Sequence, residues 1–111
     1  ERKSSGPKLS YIQAGVRRQI ELKDVLYFNA EDKYVRMVFS KGEAIIEQSL
    51  VQLQQLYPDQ LLRIHRSTMI NKAYFQRLIS ANGKHWVVLA GRNEKLEVSR
   101  REVANIRSNL C

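Results

Sequence analysis

Apolar residues come in short runs along this chain, several runs alternate with polar residues, and turn-forming residues recur between them. A period of two is typical of strands with one buried face, so the pattern indicates an antiparallel β domain. The predicted fold class is therefore mainly β. Nine or ten strands are predicted, at residues 9–13, 16–22, 25–30, 34–39, 43–47, 62–65, 68–70, 75–80, 86–89 and 95–98.

Three segments between these runs have the composition of tight turns. Lys41-Gly42 and Asn82-Gly83 place glycine where a hairpin requires a positive φ, which glycine adopts without steric cost. Gly91-Arg92-Asn93 is predicted as a third turn.

One internal segment departs from the alternating pattern and predicts a short helix. It opens with Ser49, whose hydroxyl can cap the first amides while Gln52 completes a capping box. Leu50, Leu53 and Leu56 are expected to share one face of this helix.

A second short helix is predicted at the C-terminus. Ser99 precedes it, Glu102 follows three residues later, and apolar residues recur at spacings of three and four. Those apolar residues are Val103, Ile106 and Leu110.

The length of 111 residues suits one domain, which can bury a hydrophobic core without disulfides or metals. Residues 1–8 are interpreted as a linker remnant because the first six are polar and rich in Ser and Lys, and residues 9–111 as the domain. Since the chain begins at Glu1 rather than at a methionine, we expect further protein ahead of it.

Nineteen Lys and Arg against eleven Asp and Glu give a net charge of +8. This excess favours a partner with dense negative charge, either nucleic acid or an anionic membrane surface. The longest apolar run, residues 86–90, is far shorter than the roughly 20 residues of a membrane-spanning helix. The single cysteine, Cys111, excludes an intrachain disulfide and suits a reducing cytosol. We therefore expect a soluble, cytoplasmic protein without a membrane segment.

A dense group of hydrogen-bond donors ends the predicted strand at residues 62–65. Arg63, His65, Arg66 and Ser67 lie within five residues and can bind several oxygens of one anionic backbone. If Ile64 faces the core, Arg63 and His65 point to the opposite face, and Arg66 and Ser67 occupy the following turn. We predict a nucleic-acid contact here, in which His65 has a structural or phosphate-contacting role.

A second basic segment, residues 33–36, follows the acidic turn at residues 31–32. Lys33 could reach a phosphate or a guanine edge, and Val35 could offer an apolar contact to a thymine methyl group. The same residues also fit a solvated strand end in which Glu31 and Lys33 form an ion pair. The pattern alone leaves both interpretations open.

A third basic segment, Ser99-Arg100-Arg101, lies at the start of the predicted C-terminal helix. Unsatisfied amides and the positive end of the helix dipole favour an anion there, and the two arginines add to this preference. The alternative is that Ser99 only caps the helix and the arginines are ordinary surface charges.

Signatures of enzymes are missing from the sequence. It has no glycine-rich phosphate loop, no His/Cys cluster at metal-ligand spacing and no G-x-S-x-G motif. We therefore predict no catalytic residues, no metal and no cofactor. Single-strand binders need exposed rings on which bases stack, whereas most aromatic residues here lie inside apolar runs and are predicted to be core.

A further signal comes from four segments in a fixed order: residues 24–28 (DVLYF), residues 31–35 (EDKYV), residues 63–67 (RIHRS) with Asn71, and residues 98–101 (VSRR) with Val103. Together they resemble the LytTR DNA-binding domain, most of all the alginate-regulator type of response regulator. The resemblance implies an elongated arrangement of small antiparallel β-sheets, with one short internal and one C-terminal helix. Such a domain lies along a DNA duplex, inserts loops into successive grooves and usually follows a receiver domain.

The resemblance also implies a role for each basic segment. Arg66 and Arg101 are expected to contact bases, each with hydrogen bonds to guanine O6 and N7, and Val35 is expected to make an apolar base contact. The residues expected to hold phosphates are Lys33, Tyr34, His65, Ser67, Ser99 and Arg100.

We therefore interpret the chain as a domain for sequence-specific binding of double-stranded DNA. It is expected to serve as the output domain of a bacterial two-component regulator, pairing as a homodimer on repeated half-sites in promoters. One alternative is a β domain that binds RNA or single strands without sequence preference. A more distant alternative is a scaffold whose arginines bind an acidic protein.

Overall fold

Ten antiparallel strands and two helices make up the part of the chain that the computed structural model describes, residues 8–91 and 94–110. They confirm the predicted mainly β fold with an internal and a C-terminal helix. The strands are β1 (Lys8–Gln13), β2 (Val16–Glu21), β3 (Val25–Ala30), β4 (Val35–Phe39), β5 (Gly42–Ile46), β6 (Leu61–His65), β7 (Thr68–Asn71), β8 (Phe75–Ala81), β9 (Lys84–Leu89) and β10 (Lys95–Val98), and the helices are α1 (Leu50–Leu56) and α2 (Arg100–Leu110).

Some predicted features lie outside the described residues. They are residues 1–7 of the predicted linker, Arg92 and Asn93 of the third predicted turn, and Cys111. Lys8, assigned to the linker by sequence, is the first residue of β1. Neither α1 nor α2 has the length and hydropathy that a membrane crossing requires, and no other α-helix lies in the described ranges.

The strands form two sheets. Seven strands lie in the order β2-β1-β5-β4-β3-β7-β6, and three lie in the order β10-β9-β8. Most neighbours are sequential hairpins, but β1 pairs with β5 and β3 pairs with β7. The second of these pairings places the turn between β6 and β7 beside the end of β3.

The central strands of the large sheet, β3, β4 and β7, are buried on both faces, and their successive residues point to opposite sides. Phe28 and Met37 pack into a core that α1 completes with Leu50 and Leu53. Tyr27 and Val38 face the other way, into a core shared with the small sheet and α2. Because side chains on both faces of β3 and β4 are buried, these strands have nearly continuous apolar sequences.

Helix α1 begins with the predicted capping box. The Gln52 backbone N–H donates to Ser49 Oγ at 3.1 Å, and the Ser49 N–H donates to Gln52 Oε1 at 2.9 Å. Leu50 and Leu53 are buried, but Leu56 is 59% exposed. The expectation that Leu56 shares their face is wrong, because six residues rotate it by roughly 120° from Leu50 on a helix of 3.6 residues per turn.

The loop between β3 and β4 is longer than the strand pattern predicts. Tyr34 was predicted to begin the strand, but β4 begins at Val35. The Glu31 backbone N–H donates to the Tyr34 carbonyl at 2.8 Å, which closes the loop, and the Tyr34 side chain is 47% exposed.

Two hairpins turn through pairs of residues with positive φ. Asn82 and Gly83 have φ of 53° and 77°, which confirms the predicted turn. Ala14 and Gly15 adopt nearly the same angles, 53° and 79°, between β1 and β2. Asn-Gly is a favoured pair for such turns, whereas alanine at a positive φ is strained, so the second turn carries little sequence signal.

Replacing Ala14 with Asn should raise the free energy of unfolding by about 0.5–1 kcal/mol, because Asn tolerates the left-handed conformation better than Ala. Urea titration of the variant measures this. The reciprocal change at the equivalent position, Asn82→Ala, should lower stability by a similar amount. Equal stability of Ala14→Asn and the unmodified domain would contradict the explanation.

Asn71 is a buried polar residue whose side chain is fully hydrogen-bonded. It is 3% exposed, and its Nδ2 donates to the carbonyls of Leu22 and Val25 at 3.0 and 2.9 Å. Its Oδ1 accepts from the Ala73 N–H at 3.0 Å. Asn71 therefore joins two short 3₁₀ turns, residues 22–24 and 72–74, through the core.

Asn71→Ala should lower the free energy of unfolding by about 2–3 kcal/mol, because it leaves two buried carbonyls and one amide without their partner. Chemical denaturation measures the loss. Asn109→Ala on the exposed face of α2 serves as a control and should change stability by less than about 0.5 kcal/mol. Similar losses in both variants would count against a central role for Asn71.

Candidate nucleic-acid interface

The turn between β6 and β7 carries the central basic segment. Ile64 is fully buried, while Arg63 and His65 on the same strand are half-buried, as alternation predicts. Arg66 and Ser67 form the turn itself, and the Arg66 side chain is exposed. The strand pairing shifts register between Arg63 and His65, which is typical of a bulge that redirects side chains.

The His65 side chain is held in place by Ser67, which lies in the same turn. The Ser67 backbone N–H donates to His65 Nδ1 at 3.2 Å, and Ser67 Oγ lies 2.9 Å from the same nitrogen. Because Nδ1 accepts a backbone hydrogen bond, the neutral imidazole carries its proton on Nε2. That proton is then available for an external acceptor such as a phosphate oxygen.

The Arg63 side chain donates hydrogen bonds to two backbone carbonyls of the turn. Its Nε donates to the His65 carbonyl at 3.0 Å, and its Nη2 donates to the Arg66 carbonyl at 2.5 Å. A guanidinium presents its N–H donors in a planar fork, so one side chain can hold two successive carbonyls.

Two backbone hydrogen bonds connect this turn to the other basic segments. The Ala30 N–H donates to the Ser67 carbonyl at 2.7 Å, which fixes the turn to the loop after β3. The Ser99 N–H donates to the Ile64 carbonyl at 2.9 Å, which fixes the start of α2 to β6. The three segments predicted from charge are thus neighbours in the fold.

Two clefts lie between the three basic segments, and their shared lining joins the segments into one surface. A cleft of about 640 Å³ lies between the turn and the start of α2, and a cleft of about 330 Å³ lies between the turn and the loop after β3. Arg63 and Arg66 line both. The first cleft also contains His65, Ser99, Arg100, Arg101 and Glu102, and the second contains Lys33 and Tyr34.

The third segment is positioned by α2. Val103 and Ile106 bury one face of this helix, which leaves Arg100 and Arg101 exposed on its first turn. Arg100 also lies beside the β8–β9 hairpin, where its Nη2 would be 3.8 Å from a Cβ atom built on Gly83. Proximity of that hairpin to the basic surface was not predicted, since nothing local in the sequence encodes it.

Val35 is nearly buried, although it also lines the smaller of the two clefts. It is 5% exposed and packs in the core beneath α1, with Met37 and Ile46. The contact between Val35 and a base stays a prediction, and only the small exposed part of this side chain is available for it. Lys33 and Tyr34 are exposed as predicted.

Arg36 neutralises acidic groups next to the interface. Its Nη1 donates to Glu43 Oε2 at 3.0 Å, and its Nε lies 4.0 Å from Glu31 Oε2. Burial of the guanidinium acts to lower the pKa of Arg36, but the hydrogen bond and charge of Glu43 outweigh it and raise the pKa above its ordinary value. The carboxylate of Glu31 thus approaches Arg36, whereas the sequence suggested an ion pair with Lys33.

The aromatic side chains are mostly internal. Tyr27, Phe28 and Phe39 are buried, and Trp86 is half-buried with Lys95 Nζ 5.4 Å from its ring centroid. Among the residues that the structure describes, Tyr34 is the one aromatic residue that is exposed. A row of stacking rings is therefore not part of the described surface.

By shape and charge, an antiparallel β domain that gathers three basic segments on one surface is a module for binding nucleic acid. The family model described as "LytTr DNA-binding domain" matches residues 16–110, and the chain belongs to this family. It is therefore a DNA-binding domain of the kind used in transcription regulation, which confirms the resemblance seen in the sequence.

Two known proteins are similar to the chain. The positive alginate biosynthesis regulatory protein of Pseudomonas aeruginosa is 34% identical over an alignment of 108 residues, which covers 93% of this chain and 43% of that protein. The chain thus spans less than half the length of this relative. A solved structure, the LytTr DNA-binding domain of a response regulator from Bacillus cereus, superposes with a TM-score of 0.83 at 19% identity and covers 93% of this chain and 95% of that one.

We expect long-range ¹H–¹⁵N correlation spectra of neutral His65 to show a proton on Nε2 and none on Nδ1, because the Ser67 N–H occupies Nδ1. Ser67→Ala removes the hydroxyl but keeps that backbone donor, so the tautomer should persist. A proton found on Nδ1 would contradict the geometry of the turn.

Proposed function

We propose that this domain binds specific sequences in double-stranded DNA as the output domain of a bacterial transcriptional regulator. The observation that supports this most strongly is that Arg63 and Arg66 line both clefts, so that the basic segments form one uninterrupted surface. A duplex offers two grooves and the phosphates between them, which suits three contact points on a rigid frame.

Within this proposal Arg66 and Arg101 read bases and the remaining groups hold the DNA backbone. Arg66 and Arg101 project from a turn and a helix start, and each can form two hydrogen bonds with one guanine. Residues of the loops and of the start of α2 suit phosphate contacts, because the phosphates lie nearer the protein than the floor of a groove does. The proposed phosphate contacts are Lys33, Tyr34, His65, Ser67, Ser99 and Arg100.

The proposal extends to the longer protein. We propose that a receiver domain precedes this one, that the protein acts in the cytoplasm, and that two copies bind half-sites about one helical turn apart. Pairing would multiply the affinity of each domain, since the second contact becomes intramolecular. No role in catalysis and no cofactor are proposed.

Selection from a randomised duplex library at near-physiological salt tests the proposal. We expect a defined motif to be retained and the affinity for it to fall steeply as salt increases. Retention without sequence preference, or stronger binding of single strands than of duplexes, would favour the sequence-tolerant alternative.

Replacing Arg66 or Arg101 with Ala should reduce discrimination at one base position by about 1–3 kcal/mol. Lys33→Ala should instead weaken binding to all sequences and reduce the salt slope by about one. Titrations of the selected duplex and of single-base variants at several salt concentrations separate these effects.

Arg18→Ala provides a matched control for charge. Arg18 is exposed on β2, at the edge of the large sheet opposite β6. Its loss should leave base discrimination unchanged. If Arg66→Ala and Arg18→Ala behaved alike, the assignment of base reading to Arg66 would be wrong.

A further inference from the structure

We propose that Arg63 is a positioning residue for the DNA-reading turn, and that it acts through the geometry of Arg66 rather than by contacting DNA as a charge. This inference rests on the proposed function. It concerns a residue that the site assignment does not include, although Arg63 belongs to the same basic segment.

The first argument is that the guanidinium of Arg63 donates its hydrogen bonds to the protein backbone. Nε and Nη2 donate to the carbonyls of His65 and Arg66, so one edge of the guanidinium is directed at the turn. The side chain is half-buried, whereas Arg66 is exposed. An arginine that served mainly to attract phosphates would gain from the exposure that Arg66 has.

The second argument is what these bonds do to the turn. Together with the bonds from Ser99 to the Ile64 carbonyl and from Ala30 to the Ser67 carbonyl, they give four consecutive carbonyls an internal donor. The carbonyl oxygens of the turn, which repel phosphates, are therefore occupied by donors of the protein itself. Its donors and the Arg66 side chain are left for DNA.

The third argument is that only an arginine can make this pair of bonds. A lysine at position 63 keeps the positive charge but has a single ammonium in place of the planar fork, so it cannot reproduce the two-carbonyl geometry. Arg63→Lys therefore separates positioning from charge.

The decisive experiment compares Arg63→Lys and Arg63→Ala with the unmodified domain on the selected duplex and on a scrambled one. We expect both variants to lose roughly tenfold in the ratio of specific to scrambled affinity, because Arg66 is no longer held in place. The salt slope of Arg63→Lys should match that of the unmodified domain. Preserved specificity in Arg63→Lys, with a slope reduced by about one in Arg63→Ala, would show a phosphate contact and overturn the inference.

A double-mutant cycle tests whether Arg63 acts through Arg66. In an Arg66→Ala background, Arg63→Lys should cause no further loss of discrimination at the base that Arg66 reads. Full additivity of the two losses would contradict the inference. Arg18→Lys, made in both backgrounds, controls for arginine-to-lysine changes that lie elsewhere on the surface.

A measurement without DNA keeps the inference separate from the proposed function. In Arg63→Lys, hydrogen exchange of the Ser67 amide should accelerate about tenfold, while amides of β9 in the core of the small sheet should not change. Unchanged exchange at Ser67 would overturn the positioning role. Absence of any sequence preference in the unmodified domain would instead refute the proposed function, and the exchange result would still decide the role of Arg63.

Discussion

Four successive carbonyl groups, from Ile64 to Ser67, hold the interface together because each accepts a hydrogen bond from another group of the protein. One donor belongs to the end of β3, one to the start of α2, and two to Arg63. A tight turn on a protein surface usually leaves its carbonyls to water. Here they join three distant parts of the chain, and the orientation of every proposed DNA contact in the turn depends on them.

The sheet order makes this arrangement possible. β7 lies between β3 and β6, so the β6–β7 turn necessarily ends beside the loop that follows β3. On the other face, α2 and the small sheet cover residues of β3, β4, β6 and β7 that α1 does not. Burial on both faces gives these strands their rigidity, because displacing one of them would expose apolar surface on one side or the other.

Much of this fold follows from local pattern, and the parts that do not have physical reasons. Alternation, Asn82-Gly83 and the Ser49 capping box predict strands, a turn and a helix, because each is decided within a few residues. Local chemistry also locates the three basic segments. Their convergence depends on the pairing of β3 with β7, which a period of two cannot encode. The near-burial of Val35 is likewise not evident from the pattern, because it depends on how β4 packs against α1.

Two of the four donors to the turn are backbone N–H groups, which every residue other than proline possesses. These two bonds of the interface are thus independent of which side chains project from it, and the other two need Arg63 alone. Substitutions at the exposed reading positions need not disturb the fold, so a protein of this design can acquire a new DNA target by single exchanges. The side chains that read DNA can therefore change while the hydrogen bonds that hold the turn stay the same.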